Sequence, residues 1–151
     1  MDITTMITTN TVELDVDLKS KEEALSYITE ILEREKRITS KEETFKGYVD
    51  REEQCTTGIG FGLAIPHCKV ESVVEPTIVY LTLKNPVDWQ ALDDKPVKIV
   101  IGLAVPKKDE GTLHLEILSS LASNLMEDEF KDSLFSMNSK NDLIKFLYNN
   151  L

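Results

Sequence analysis

The chain has 151 residues, 41% hydrophobic and 29% charged, with 27 Asp and Glu against 17 Lys and Arg and a formal net charge of −10. That length suits one domain with a real core, and that charge argues against a phosphate-backbone footprint, which needs clustered Lys and Arg, so nucleic acid is not an expected partner. Two cysteines, Cys55 and Cys68, the lack of a basic-then-apolar leader and no apolar run near the ~18 to 20 residues of a membrane helix point to a cytoplasmic protein without a disulfide framework or direct membrane insertion, any link to a membrane going through a partner.

In chain order, residues 1–10 are Thr-rich and aperiodic and read as a loosely held lead-in to a single domain spanning 1–151. Val12, Leu14 and Val16 alternate with acids as a half-buried strand would. Ser20 with Glu23 forms a capping-box pattern ahead of Ala24, Leu25, Ile28, Ile31 and Leu32 at helical spacing. Ser40 and Glu43 repeat it before Phe45, Tyr48 and Val49, so a second helix is expected to about Glu53. Cys55 to Gly58 turns the chain into a glycine-rich strand, Gly58 to Lys69. Thr77 to Leu83 is a β-branched, buried strand bounded by Pro76 and Asn85-Pro86. Pro86 to Lys95 reads as a loop anchored by Trp89, Val97 to Val105 as a second buried strand, and Lys107 to Gly111 as a charged connector. Thr112 is expected to cap a helix that turns Leu113, Leu115, Ile117, Leu118, Leu121 and Leu125 toward the core. Met126 to Ser136 and Ser139 to Tyr148 complete the helical patterns. Central strands flanked by helices indicate an α/β fold in which helices sandwich a mixed β-sheet.

The chemistry gathers at three basic side chains. Gly58-Ile59-Gly60-Phe61-Gly62-Leu63-Ala64-Ile65-Pro66-His67 reads as one close-packed strand ending on an imidazole whose direction Pro66 constrains. His114 falls in the first turn of the helix after Thr112, where orphan N–H groups and the helix dipole favour an anion. Arg51 supplies a planar, always-charged fork suited to phosphate oxygens. Together they describe a phosphoryl site: His67 as nucleophile, Arg51 and His114 holding the equatorial oxygens, with no metal or cofactor required.

Each of these has a plain structural reading as well. His67 can merely hold a loop, His114 can hydrogen-bond locally, and Arg51 can belong to a solvated ion-pair cluster with Asp50, Glu52 and Glu53. Cys68, next to His67 on a strand, points to the opposite face and reads as a small buried residue, as does Cys55. Trp89 reads as a packing anchor.

Arg51-Glu52, Thr56-Thr57-Gly58-Ile59-Gly60, Leu63-Ala64-Ile65-Pro66-His67, His114-Leu115 at the head of a leucine-rich helix, and Val87-Asp88-Trp89 before a Pro-Val strand resemble one family. It is the enzyme IIA domain of the phosphoenolpyruvate-dependent sugar phosphotransferase system, fructose/mannitol type. The string Ala64-Ile65-Pro66-His67-Cys68 is also similar to galactitol-type IIA domains. The resemblance implies a phosphohistidine carrier that takes a phosphoryl group from the phosphorylated histidine-phosphocarrier protein onto His67. From there the group passes to a cysteine of a IIB domain, and the membrane IIC component phosphorylates the sugar during uptake. The positions of Arg51 and His114 support the phosphorylated histidine in that family. With no IIB, IIC or carrier sequence before Leu151, the resemblance implies a separate subunit or a fragment of a longer protein. Two alternatives stand beside it: a regulatory, nitrogen-type IIA domain controlling other proteins by its phosphorylation state, and a non-catalytic α/β binding module.

Overall fold

The computed structural model describes residues 3–109 and 112–151. Its regular elements are β1 (Val12–Val16), α1 (Lys21–Arg34), α2 (Lys41–Gln54), β2 (Gly58–Gly60), β3 (Leu63–Ala64), β4 (His67–Val70), β5 (Thr77–Val87), β6 (Val97–Pro106), α3 (Leu113–Leu125), α4 (Asp128–Ser136) and α5 (Lys140–Asn150). The serines read as caps act as caps. Ser20 Oγ accepts from the Glu23 N–H and Ser40 Oγ from the Glu43 N–H, each at 3.1 Å, and Ser139 Oγ accepts from the Asp142 N–H, each satisfying an orphan donor of a first turn.

The sheet runs β1-β5-β6-β3-β2, with β4 also paired to β6, beyond the end of β3. β5 and β6 are antiparallel, as are β2 and β3, while β1 lies parallel to β5 and both β3 and β4 lie parallel to β6. Two apolar clusters follow from the period-two alternation of the central strands. Val79, Leu81, Val100 and Ala104 face Leu25, Ile28, Leu32 and Tyr48 of α1 and α2. Ile78, Tyr80, Ile99, Ile101 and Leu103 face Ile117, Leu121, Leu134 and Leu147 of α3, α4 and α5. Each buried Leu or Ile contributes about 1.5 to 3 kcal/mol relative to exposure, so both helical layers are held by burial far more than by helix propensity.

The structure departs from the sequence reading in several places. Residues 3–10 of the lead-in expected to be loosely held pack into two 3-10 turns, Ile3–Thr5 and Thr9–Thr11. Ile3, Met6 and Ile7 are buried in the core, and the Tyr148 hydroxyl donates to the Ile7 carbonyl at 2.9 Å, so three scattered apolar residues suffice to tie the segment down. The glycine-rich stretch is not one strand. Phe61 and Gly62 lie at φ 59° and 79°, as both central residues of a type I′ hairpin turn must, and the chain folds back from β2 to β3. His67 consequently begins β4 instead of ending a strand. β5 runs on to Val87 through Asn85-Pro86, with a register shift between Thr82 and Val87 that accommodates the proline. Trp89 is fully buried, as an anchor should be. The expected connector from Lys107 extends to Glu110 and Gly111, which lie outside the described residues.

Candidate functional site

The pairing of β4 with β6 sets His67 beside Leu103 and Cys68 beside Ala104. Leu103 belongs to the cluster facing α3 and Ala104 to the cluster facing α2, so the imidazole points to the α3 side and the thiol to the α2 side. Cys68 is buried, and burial pushes its thiol up to about 12, an inert packing residue. Cys55 departs from expectation: it is exposed, at the C-terminal cap of α2, and its backbone carbonyl is the part that matters.

Helix α2 comes unusually near β4. A Cβ on Gly47 would lie 2.7 Å from Val70 Cγ1 and 3.3 Å from Cys68 Cβ, so only glycine permits this approach. Four residues on, one helical turn, Arg51 reaches to the imidazole. Its Nε–H donates to His67 Nε2 at 3.1 Å, and its Nη1 donates to the Cys55 carbonyl at 2.7 Å. On the other side of the ring, His67 Nδ1 lies 3.0 Å from the Ile65 carbonyl. A carbonyl only accepts and a guanidinium only donates. The proton therefore sits on Nδ1 and the lone pair on Nε2, and the neutral imidazole is held in one tautomer.

Electrostatics keep it neutral. Burial lowers the His67 pKa from the ordinary 6.5, the Ile65 hydrogen bond partly opposes this, and the positive charge of Arg51 lowers it further. Protonation would place a second N–H against the Arg51 N–H, so geometry and charge agree.

His67, Arg51 and His114 line a single open cleft of about 450 Å³, together with Asp50 and Gln54 of α2, Lys69 of β4, and Leu115 and Leu118 of α3. His114 is close enough for its charge to lower the His67 pKa, and its buried Nδ1 has no hydrogen-bond partner among the described residues. Thr112 stands at the N-cap of α3 but its side chain makes no capping bond; the hydroxyl turns to Glu116 Oε1 at 3.4 Å. Leu115, expected in the core, is 55% exposed and forms part of the cleft wall.

The ion-pair cluster that stood as the plain structural reading of Arg51 is not formed among the described residues. Asp50 pairs with Lys46 at 2.8 Å, and Glu52 is buried, bound to Thr57, Trp89 and Lys21. Sequence reasoning missed Glu52 and Gly47. The signal for Glu52 was its spacing: it stands four residues after Tyr48, which is fully buried, and so on the inward face of α2.

An α/β sandwich that offers a tautomer-fixed imidazole beside a guanidinium at the mouth of a cleft has the architecture of a phosphotransferase-system IIA domain. The chain belongs to the family "Phosphoenolpyruvate-dependent sugar phosphotransferase system, EIIA 2", whose model matches residues 5–150, the fructose/mannitol type indicated by its motifs. It is 32% identical over 139 residues to a fructose-specific EIIA component of Haloferax volcanii, covering 92% of this chain and 90% of that protein. It is 33% identical over 147 residues to a fructose-specific EIIABC component of Bacillus subtilis, covering 97% of this chain but only 23% of that much longer protein. Among solved structures, the nitrogen regulatory protein IIA-Ntr of Neisseria meningitidis superposes with a TM-score of 0.89 at 30% identity, over 96% of this chain and 98% of that one. Among the described residues no helix is long and apolar enough to cross a membrane.

Proposed function

We propose that the chain is a sugar-specific phosphocarrier acting as a single cytoplasmic domain, with His67 Nε2 as the atom that carries the phosphoryl group. The observation that supports this most is the pair of opposed hydrogen bonds on the ring, Nδ1–H to the Ile65 carbonyl and Nε2 from Arg51. A nucleophilic imidazole needs a free lone pair aimed at phosphorus, and Nδ1–H donation to a carbonyl makes Nε2 the more basic, correctly presented nitrogen.

Arg51 first turns off Nε2. The lone pair then attacks the phosphorus of a phosphohistidine on the donor, the histidine-phosphocarrier protein. The new P–N bond forms as the donor's P–N bond breaks, and the electron pair returns to the donor imidazole. Nδ1–H stays on the Ile65 carbonyl and spreads the positive charge of the substituted ring. The Arg51 fork and His114 meet the phosphoryl oxygens across the cleft. In the second step a IIB cysteine thiolate attacks, a P–S bond forms and the P–N bond to His67 breaks, with the membrane IIC component downstream. The Bacillus subtilis relative, an EIIABC component, supports IIB and IIC as the onward partners, and both fructose-specific relatives favour a sugar role.

Incubation with phosphoenolpyruvate, enzyme I and the histidine-phosphocarrier protein should add one phosphoryl group, and phosphorus NMR should place it on Nε2 of His67. Unchanged phosphorylation of His67→Ala would sink the proposal. The similarity to the IIA-Ntr structure supports a second reading, a regulatory domain whose phosphorylation state alters its binding to other proteins. Transfer from the phosphorylated chain to a fructose-type IIB domain separates them: rapid transfer favours transport, and a stable phosphohistidine in its presence favours regulation.

A further inference from the structure

We infer that Glu52 is a positioning residue for His67, a buried carboxylate that sets the tautomer and aim of the imidazole through Thr57 and Ile65. The geometry stands by itself; only the consequence for transfer rests on the phosphocarrier reading.

The Glu52 side chain is 5% exposed and everything facing it donates. The Thr57 backbone N–H reaches Oε2 at 3.2 Å, the Thr57 hydroxyl donates to Oε1, Trp89 Nε1–H reaches Oε1 at 3.4 Å, and Lys21 Nζ lies 3.6 Å from Oε2. An ionised carboxylate accepts and has no donor, and here three hydrogen bonds and one ion pair meet it, the Trp89 N–H being shared with Thr57 Oγ1 at 3.3 Å. From this anchor two hydrogen bonds lead to the ring. The Thr57 carbonyl accepts the Ile65 N–H at 3.0 Å, and the Ile65 carbonyl accepts His67 Nδ1–H at 3.0 Å.

The opposite side of the ring returns to the same place. Arg51, adjacent to Glu52 on the last turn of α2, is pinned through Nη1 to the Cys55 carbonyl, two residues before Thr57. Both hydrogen bonds of the imidazole thus depend on the loop that Glu52 holds. Lys21 ties the anchor to the start of α1, its Nζ also reaching the Trp89 carbonyl at 3.4 Å. Glu52 makes no hydrogen bond to the ring: its hold on the ring's aim passes through the peptide groups of Thr57 and Ile65, beside the through-space pull of its negative charge, which raises the His67 pKa.

A merely structural staple would cost stability and leave the tautomer alone. The test is nitrogen-15 NMR of labelled histidine in the full chain, comparing wild type with Glu52→Gln, Thr57→Val and a core control, Leu83→Ala. In Glu52→Gln an amide NH₂ replaces one acceptor oxygen, and of the groups around it only the Thr57 hydroxyl can accept, while the Thr57 N–H, Trp89 Nε1–H and Lys21 only donate. Thr57→Val removes the hydroxyl donor, keeps the backbone N–H, and carries the test if Glu52→Gln does not fold.

The His67 shifts should move from one neutral tautomer toward an average of two in both variants but not in Leu83→Ala. His67 phosphorylation should slow about tenfold or more. Wild-type shifts in the folded variants, or equal movement in the core control, overturn it. Altered shifts with unchanged transfer rate overturn its consequence for transfer. A wild-type chain that takes no phosphoryl group overturns the phosphocarrier reading, while the shifts still decide the role of Glu52.

Discussion

Arg51 Nε–H donates to His67 Nε2 at 3.1 Å, so the lone pair with which the imidazole would attack is covered by the group that would later hold the phosphate. In the proposed transfer the resting site is thus latched, and the guanidinium would have to swing once in each cycle. In Arg51→Gln the latch and the charge are both gone. Because the Arg51 charge lowers the His67 pKa, the titration of His67 followed by NMR should move upward. Losing a charge-assisted hydrogen bond of about 1.5 to 3 kcal/mol to the phosphoryl oxygens should slow phosphorylation roughly 10- to 150-fold. A faster variant would mean that the latch outweighs the clamp.

The depressed His67 pKa carries a sign. The folded chain resists protonation, mainly through burial, whereas the unfolded chain takes up a proton near the ordinary 6.5. The stability contributed by neutral His67 is therefore present above pH 6.5 and is lost as pH falls from there toward the folded-state value. Urea unfolding at pH 7.5 and 5.5 should show a larger loss for wild type than for His67→Gln. Phosphoryl acceptance should hold as pH drops through 6.5 and decline only further down.

Tyr80 carries a buried hydroxyl with no hydrogen-bond partner among the described residues, and burial raises its pKa far above the phenolic range. Removing a polar group that already lacks a partner loses no hydrogen bond and relieves its desolvation. Tyr80→Phe should leave stability unchanged or raise it by about 1 kcal/mol in chemical denaturation. A loss of 2 kcal/mol or more would reveal a partner, such as an ordered water, on that hydroxyl.

Leu115 is 55% exposed on the wall of the cleft beside His114. Exposed apolar surface around the proposed transfer atom suits a protein partner better than solvent. Leu115→Ser should change folding stability by less than about 0.5 kcal/mol, yet raise the KM for the phosphorylated donor protein with kcat little altered. Unchanged KM would remove this residue from the docking surface.

Much of the fold was legible because its signals are local. Ser20, Ser40 and Ser139 cap helices through neighbours three residues away, and the alternation in Val97 to Val105 sorts side chains between two layers whatever those layers are. Phe61 hid a hairpin: a bulky residue at positive φ contradicts its own backbone preference, and the glycines flanking it fit a packed strand as well as a turn. The lead-in was misread because the burial of Ile3, Met6 and Ile7 depends on surfaces supplied by distant strands and helices.

By itself the sequence determined the helices, the central strands, the acidic charge, and the three basic residues of the site, since each is written in residue type and short spacing. Tertiary structure alone decided that Gly47 lets α2 touch β4, that Arg51 reaches His67 while Asp50 and Glu52 turn elsewhere, and that the lone pair lies on Nε2. Those facts depend on contacts between groups 2 to 37 residues apart, and hydrogen-bond direction exists only once donor and acceptor have been brought face to face.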